Sequence, residues 1–306
     1  MQVTKVPYTK DFDSRVVDAA RVSFKKKAEN YSQDQNERLI KYLIKNKHLS
    51  PFFHSHLTFL VDCSWDDLEY VITNKRLMAG LNISSVDKDK IISGSLWALL
   101  ELHTKVFGFD GLYAYLKEYA PITTDNFPFT GDGLVPYHYT RLITDISEPK
   151  HNYKTLHIKA PIFIERQLIK HQLDFGFSFP LELAKNEVSR RYVTDNIEFY
   201  TPDNWRKVSK DKKQGSCEDE FVDWFPQFDY VGPFEIEVED LYLEALSLGV
   251  CPEQARMVLP QSMYTEYYLT GNMDAWDRLI ELREHSHAQK EIRDLAQMIK
   301  EELKDD

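Results

Sequence analysis

The 306-residue chain is 42% hydrophobic, 28% charged and 13% aromatic, enough to bury a core in one large domain or two modest ones, which excludes a disordered polymer. Its 49 acidic and 38 basic residues give a formal charge of −11, which argues against nucleic acid or an anionic membrane as a partner and confines any anion to places where cations gather locally. Cys63, Cys217 and Cys251 have no disulfide or metal spacing, residues 1–15 are too polar for a secretory signal, and no apolar run reaches the roughly 18 residues of a membrane span, so a cytoplasmic protein is expected.

In chain order, 36–47 (NERLIKYLIKNK) places Leu39, Tyr42, Leu43 and Ile44 three and four apart, which predicts an amphipathic helix ended before Pro51. Residues 56–61 (HLTFLV) have strand composition. Residues 65–72, 94–107 and 112–119 read as helices, the last stopped by Pro121, and a Pro-, Gly-, Asp- and Thr-rich loop covers 123–136. Residues 156–164 begin as a strand, with Pro161 marking the turn into a helix over 163–172. A polar cluster follows at 186–192, a strand-like return at 198–200 and a polar loop at 208–228. An amphipathic helix over 234–248 is closed by Gly249, Pro252 opens the next, and 276–303 is a final helical region.

Four constellations can carry chemistry. In KNEVSRRY (185–192), the forks of Arg190 and Arg191 with the Ser189 hydroxyl suit a phosphate, and the same composition suits a solvated face. In ERQLIKHQ (165–172), Gln167 and Lys170 share a helix face with His171 beside them, as anion donors or as an ordinary amphipathic helix. His48, His54 and His56, with His285 and His287, match no common zinc spacing, and no metal is expected. Arg256 and Arg283 sit on helices among apolar neighbours, where a guanidinium needs an anionic ligand, an internal carboxylate or a hydrogen-bond network. There is no Gly-rich dinucleotide fingerprint, phosphate loop or nucleophile elbow, and Cys251 lacks a basic partner. The residues by themselves therefore reach a globular protein with several arginines able to bind an anion.

Taken in order, AARVSF (19–24), RLIKYLIKNKHLSPFFH (38–54), IKAPIFIERQLIKHQ (158–172), NEVSRRY (186–192), EFYTP (198–202), GVCPEQARMVLPQSMYTEYY (249–268) and LREHSHAQKEI (282–292) resemble the flavin-dependent thymidylate synthases. The resemblance implies an α+β fold, a mixed sheet packed with helices. It would form one domain with a core of 1–61 and 157–306 that carries a mainly helical insertion at 62–156. It implies an FAD-dependent methylation of dUMP to dTMP, with methylenetetrahydrofolate as one-carbon donor and NADPH as reductant, in a homotetramer with shared active sites.

Residue by residue, the resemblance puts His48, Ser50, Lys170, His171, Gln172, Glu187, Asn272 and Arg278 at the flavin. Gln167, Lys170, Glu187, Ser189, Arg190, Arg191, Arg256 and Arg283 would form the dUMP site. Arg283 would be the catalytic group, contacting the pyrimidine edge and favouring ionisation of N3, so that no protein nucleophile is required. Two departures stand out, the region 62–155, which enlarges the compact family core, and the flavin signature. The family's Arg-His-Arg signature, seven residues before a serine, reads here Lys170-His171-Gln172, with sixteen residues before Ser189. Arg278 and Asp274 also replace an asparagine and an often basic residue. Three rival readings remain: a sister enzyme acting on dCMP or releasing a hydroxymethyl product, a non-catalytic relative that uses the insertion as a binding surface, and a metal-dependent hydrolase using the histidines.

Overall fold

The computed structural model describes residues 1–66, 68–74, 78, 80–105, 110–128, 140–143, 149–169, 183–209, 216–222 and 234–304. The chain opens with β1 (Gln2–Lys5), α1 (Phe12–Arg21), α2 (Gln33–Lys45) and β2 (His56–Val61). There follow α3 (Glu69–Thr73), β3 (Leu81–Val86), β4 (Asp89–Ser95), α4 (Leu96–Lys105), α5 (Asp110–Tyr119), α6 (Pro121–Asn126) and β5 (Thr140–Ile143). The remainder runs β6 (Tyr153–Pro161), α7 (Ile162–Ile169), β7 (Leu183–Glu187), β8 (Trp205–Val208), β9 (Ser216–Val222), α8 (Phe234–Ser247), α9 (Pro252–Ala255), β10 (Tyr264–Asn272), α10 (Met273–Glu284) and α11 (Lys290–Leu303). Among the described residues no helix is long and apolar enough to cross a membrane.

The first sheet has the order β1-β6-β10-β7, every pairing antiparallel. Its central rungs place Thr265 opposite Ala160, Tyr267 opposite Ile158 and Leu269 opposite Leu156, all buried on one face. Because side chains alternate along a strand, Glu266 and Tyr268 fall on the other face, opposite Lys159 and His157. The buried face packs on α7 through Ile164 and Leu168, on α10 through Trp276 and Leu279, and on α11 through Ile292, Leu295 and Ile299.

The second sheet, β3-β4-β2-β5, shows how residues 62–156 join the rest. That segment contributes helices α3–α6 together with strands β3–β5, and β4 and β5 flank β2 from the preceding core. One apolar cluster unites Phe12, Val16, Ile40, Leu43 and Phe52 with Phe59, Leu96, Leu99, Leu112 and Leu116. The 156/157 boundary falls inside β6.

Local chemistry explains where the elements begin and end. The helix expected from 36 starts earlier, at Gln33, because Ser32 and Gln35 form a reciprocal capping box. The helix expected from 94 starts at Leu96: Gly94 belongs to β4, where a Cβ would lie 2.5 Å from a Leu81 methyl and 2.9 Å from the Gly80 carbonyl. Pro121 ends one helix and opens the next as its first residue. Gly249, with φ of 87°, terminates α8 as expected, and the final helical region is two helices broken around 285–289.

The contact between α1 and α6 depends on Asp13, a carboxylate only 5% exposed. It accepts the backbone N–H groups of Ile122 and Thr123 at 2.7 and 3.0 Å and the Thr123 hydroxyl, capping α6 from another part of the chain. Asp13→Ala leaves those donors buried and unpaired and should lower stability by about 2 kcal/mol, read from the urea midpoint, while Asp13→Asn recovers part of the loss. An unchanged midpoint in the alanine variant would contradict this account.

Candidate active site

After β7 ends at Glu187, the Val188 N–H donates to the Glu266 carbonyl at 2.9 Å and the chain turns sharply. Ser189 donates its N–H to the Ser23 carbonyl at 3.1 Å, and its own carbonyl accepts from Tyr192 and Val193. This turn, α7, the start of β10 and the Arg256–Val258 helical turn after α9 enclose a cavity of about 610 Å³. Lys25, Arg166, Arg190, Arg191 and Arg256 line it against three carboxylates, Glu187, Glu253 and Glu266, so a chain of net charge −11 gathers a local positive excess here.

The cations differ in what they already hold. Lys25 pairs with Glu266 at 2.9 Å. Arg190 is 7% exposed and turns inward, donating to the Asp195 carbonyl at 2.7 Å and more weakly to those of Val193 and Asn196. Burial pushes its pKa down, with Tyr242 and Asp195 pulling the other way. Arg191 and Arg256 are exposed and form no ion pair among the described residues. Arg191 Nε donates to Ser189 Oγ at 3.3 Å and Arg256 Nε to the Glu253 carbonyl at 3.3 Å, which orients each fork and leaves its outer N–H groups for a ligand.

Glu187 is held from two sides. Its Oε1 accepts from Thr265 Oγ1 at 2.5 Å, and its Oε2 pairs with Lys185 at 2.6 Å. Lys185 also bridges to Glu165 on α7 and lies 4.8 Å from the centroid of the Tyr267 ring. Burial raises the Glu165 carboxyl pKa against the pull of Lys185.

Gln167 and Arg283 meet elsewhere, outside the residues that line this cavity. Arg283 Nη2 donates to the Gln167 carbonyl at 2.8 Å, and the Gln167 amide donates to Gln289 Oε1 at 2.9 Å. Arg283 is half-buried, and desolvation lowers its pKa. Arg166 and Gln167 are adjacent on α7, so the roughly 100° turn per residue sends one side chain to the cavity and the other to Gln289, while the Gln167 backbone carbonyl accepts from Arg283.

His48 and Ser50 are exposed at the turn after α2, and His48 packs edge-on against Tyr42 at 5.8 Å. Neither side chain makes a hydrogen bond among the described residues. Asn272 is buried and caps α10, accepting from the Ala275 N–H at 2.9 Å and donating to the Lys150 carbonyl at 3.2 Å. Arg278 is half-buried on α10. Lys170, His171 and Gln172 lie outside the described residues. Arg166, Lys25 and the Glu165–Lys185 pair escaped the sequence reading. Arg166 lies inside the ERQ segment and Lys185 opens the polar cluster, but only the strand pairing shows what they face.

His54, from the HLSPFFHSH run, is a buried tie: its ring nitrogens contact Thr270 Oγ1 at 2.7 Å and Asn186 Oδ1 at 3.0 Å, beside Glu187. Burial lowers its pKa from 6.5 to about 4 and that of His56 to about 3. The unfolded chain therefore binds more protons than the folded one between these values and 6.5, so stability is full above pH 6.5 and drains as the pH falls toward 4. Between pH 7.5 and 5, His54 alone should cost about 2 kcal/mol, and His54→Gln should flatten that part of the urea-midpoint profile. A variant with the wild-type pH dependence would contradict the assignment.

The family profile described as "Thymidylate synthase complementing protein" (Thy1) matches residues 6–73 and 144–306, and 74–143 fall outside the match. The chain is 30% identical to the flavin-dependent thymidylate synthase of Aquifex aeolicus, over 96% of this chain and 95% of that one. It is 38% identical to the enzyme of that name from Thermosipho africanus, over 48% of this chain and 61% of the relative. Among solved structures, the UMP/dUMP methylase PolB of Streptomyces cacaoi, bound with 5-Br UMP, is similar with 21% identity and a TM-score of 0.40, covering 98% of this chain and 87% of that one.

Proposed function

The chain belongs to the flavin-dependent thymidylate synthase family, and from that premise we propose that it methylates dUMP to dTMP, with methylenetetrahydrofolate as one-carbon donor and NADPH as reductant. The observation that carries the reading is the cation-rich cavity around Arg191 and Arg256 in a strongly acidic chain. Arg191, Arg256 and Ser189 take the nucleotide phosphate by charge-assisted hydrogen bonds. Arg190 serves the same site by holding the 189–196 turn through its three carbonyl contacts. Glu187, fixed by Thr265 and Lys185, stands between nucleotide and flavin.

The described part of the flavin set fits such a group: His48 and Ser50 present exposed polar side chains. Lys170, His171, Gln172, Glu187 and Arg278 complete the set, while Asn272, whose amide is engaged at both ends, acts by placing the N-terminus of α10. The flavin supplies the hydride that completes the methyl group. The protein's own contribution is electrostatic. The Arg283 guanidinium at the pyrimidine edge stabilises negative charge as N3 loses its proton, which raises electron density at C5, while Gln167 orients the ring. No thiolate is needed, and Cys251 stays an exposed, free thiol at the start of α9.

In a single chain Arg283 lies apart from the phosphate cavity. Exposed Met257 lines that cavity, and Leu241, Leu248 and Val250 are exposed on and after α8, an apolar surface suited to a second copy of the chain. The reading is therefore a homotetramer with shared sites.

The test is anaerobic turnover of the purified protein with FAD, NADPH and methylenetetrahydrofolate, offering dUMP and dCMP separately and weighing the products. The expected product is dTMP, from dUMP only. Arg256→Ala should raise the KM for dUMP about tenfold or more, and Arg283→Ala should lower kcat about a hundredfold, against no change in exposed Arg38→Ala. A hydroxymethylated or cytosine product, or equal small effects of both variants, would overturn the assignment.

A further inference from the structure

Between β1, α1, β2, β6 and β10 lies a second cavity of about 390 Å³, and none of the residues assigned above to flavin or nucleotide lines it. Lys5, Arg15 and Lys154 reach it together with His54, His56 and His151, and among the described residues that line it there is no carboxylate. In a chain with 49 acidic residues, that exclusion creates a local field favouring negative charge.

Arg15 is the central group. It is 9% exposed, and its guanidinium donates to the Pro7 carbonyl without an ion pair to any described carboxylate. Asp18, one turn along α1, attracts it only at longer range, and its Oδ1 accepts the Ala28 N–H at 2.6 Å. Burial lowers the Arg15 pKa, with Asp18 and Tyr268 pulling the other way. A guanidinium has five N–H donors, and a buried one is ordinarily matched by an anion. Among the described residues two more lining groups are buried without a hydrogen-bond partner: Ser55 Oγ and His56 Nδ1, the latter in a ring stacked on Tyr153 at 3.7 Å.

We propose that this cavity is a binding site for a small molecule bearing an oxyanion, phosphate or carboxylate, which the Arg15 fork engages with Ser55 Oγ and His56 Nδ1 as additional donors. The volume lies at the lower end of small-molecule sites, so a sugar phosphate or a dicarboxylate is the right scale. The occupant would touch His54, which holds Asn186 beside Glu187, so the second site adjoins the strand that carries Glu187.

The test is calorimetric titration of the full chain carrying Arg191→Ala and Arg256→Ala, which disarms the first cavity, with inorganic phosphate, ribose 5-phosphate and succinate as probes. The expected result is saturable 1:1 binding of at least one probe, and the preferred one identifies which oxyanion the site takes. Affinity should fall about tenfold in Arg15→Met and about threefold in Ser55→Ala, with the melting temperature of Ser55→Ala unchanged. Should Arg15→Met not fold, Ser55→Ala decides alone. Absence of binding by every probe, or binding indifferent to these substitutions, would overturn the proposal.

Discussion

The antiparallel pairing of Tyr153–Pro161 with Tyr264–Asn272, nine rungs long, is the constraint on which the rest of the molecule depends. It aligns Tyr267 with both Ile158 and Glu187, so the central strand carries core on one face and fixes the carboxylate at its edge. Pro161 ends one strand directly into α7, and Asn272 ends the other directly into α10 by capping it. The two helices thus leave from opposite ends of the same strand pair. A twelve-residue helix returns roughly 18 Å along the sheet, which brings Arg283 back to the Gln167 carbonyl.

That geometry divides the polar groups by which side of α7 they face. Arg166, Arg191, Arg256 and Glu187 gather around one cavity, while Gln167 and Arg283 meet on another flank. Such a layout makes little sense as a complete site in one chain. Under the proposed sharing of sites a neighbouring copy would present its flank to the cavity, which exposed Met257 lines. Lys185, between Glu165 and Glu187, ties the carboxylate at the cavity margin to α7.

How much of this could be read beforehand depended on the kind of signal. Ser32, Pro121, Gly249 and Pro252 act through local sterics and caps, so the helix ends near them were close to legible. Central strand β10 was not: YTEYYLTGN alternates tyrosine and threonine on both faces, and only its pairing decides which tyrosine is buried. Residues 62–156 showed their helices but not that β4 and β5 flank β2, a non-local fact. Arg190 and Arg191 are indistinguishable in sequence. One turns inward to three carbonyls and the other faces the cavity, because the turn after Glu187 reverses the chain between them. The second cavity was invisible, since nothing in the sequence says that Arg15, Ser55 and His56 come together in a lining that has no carboxylate among the described residues.

The claim on which the functional reading turns is that Arg256 and Arg283 of different chains complete one site. The most direct measurement mixes Arg256→Ala and Arg283→Ala subunits, each nearly inactive at low dUMP, by co-expression or refolding. If each site draws one arginine from each of two subunits, random mixing restores about a quarter of the sites, and activity should rise to about a quarter of the wild-type value. A mixture as inactive as its parents would contradict the account, because both arginines would then have to act from the same chain.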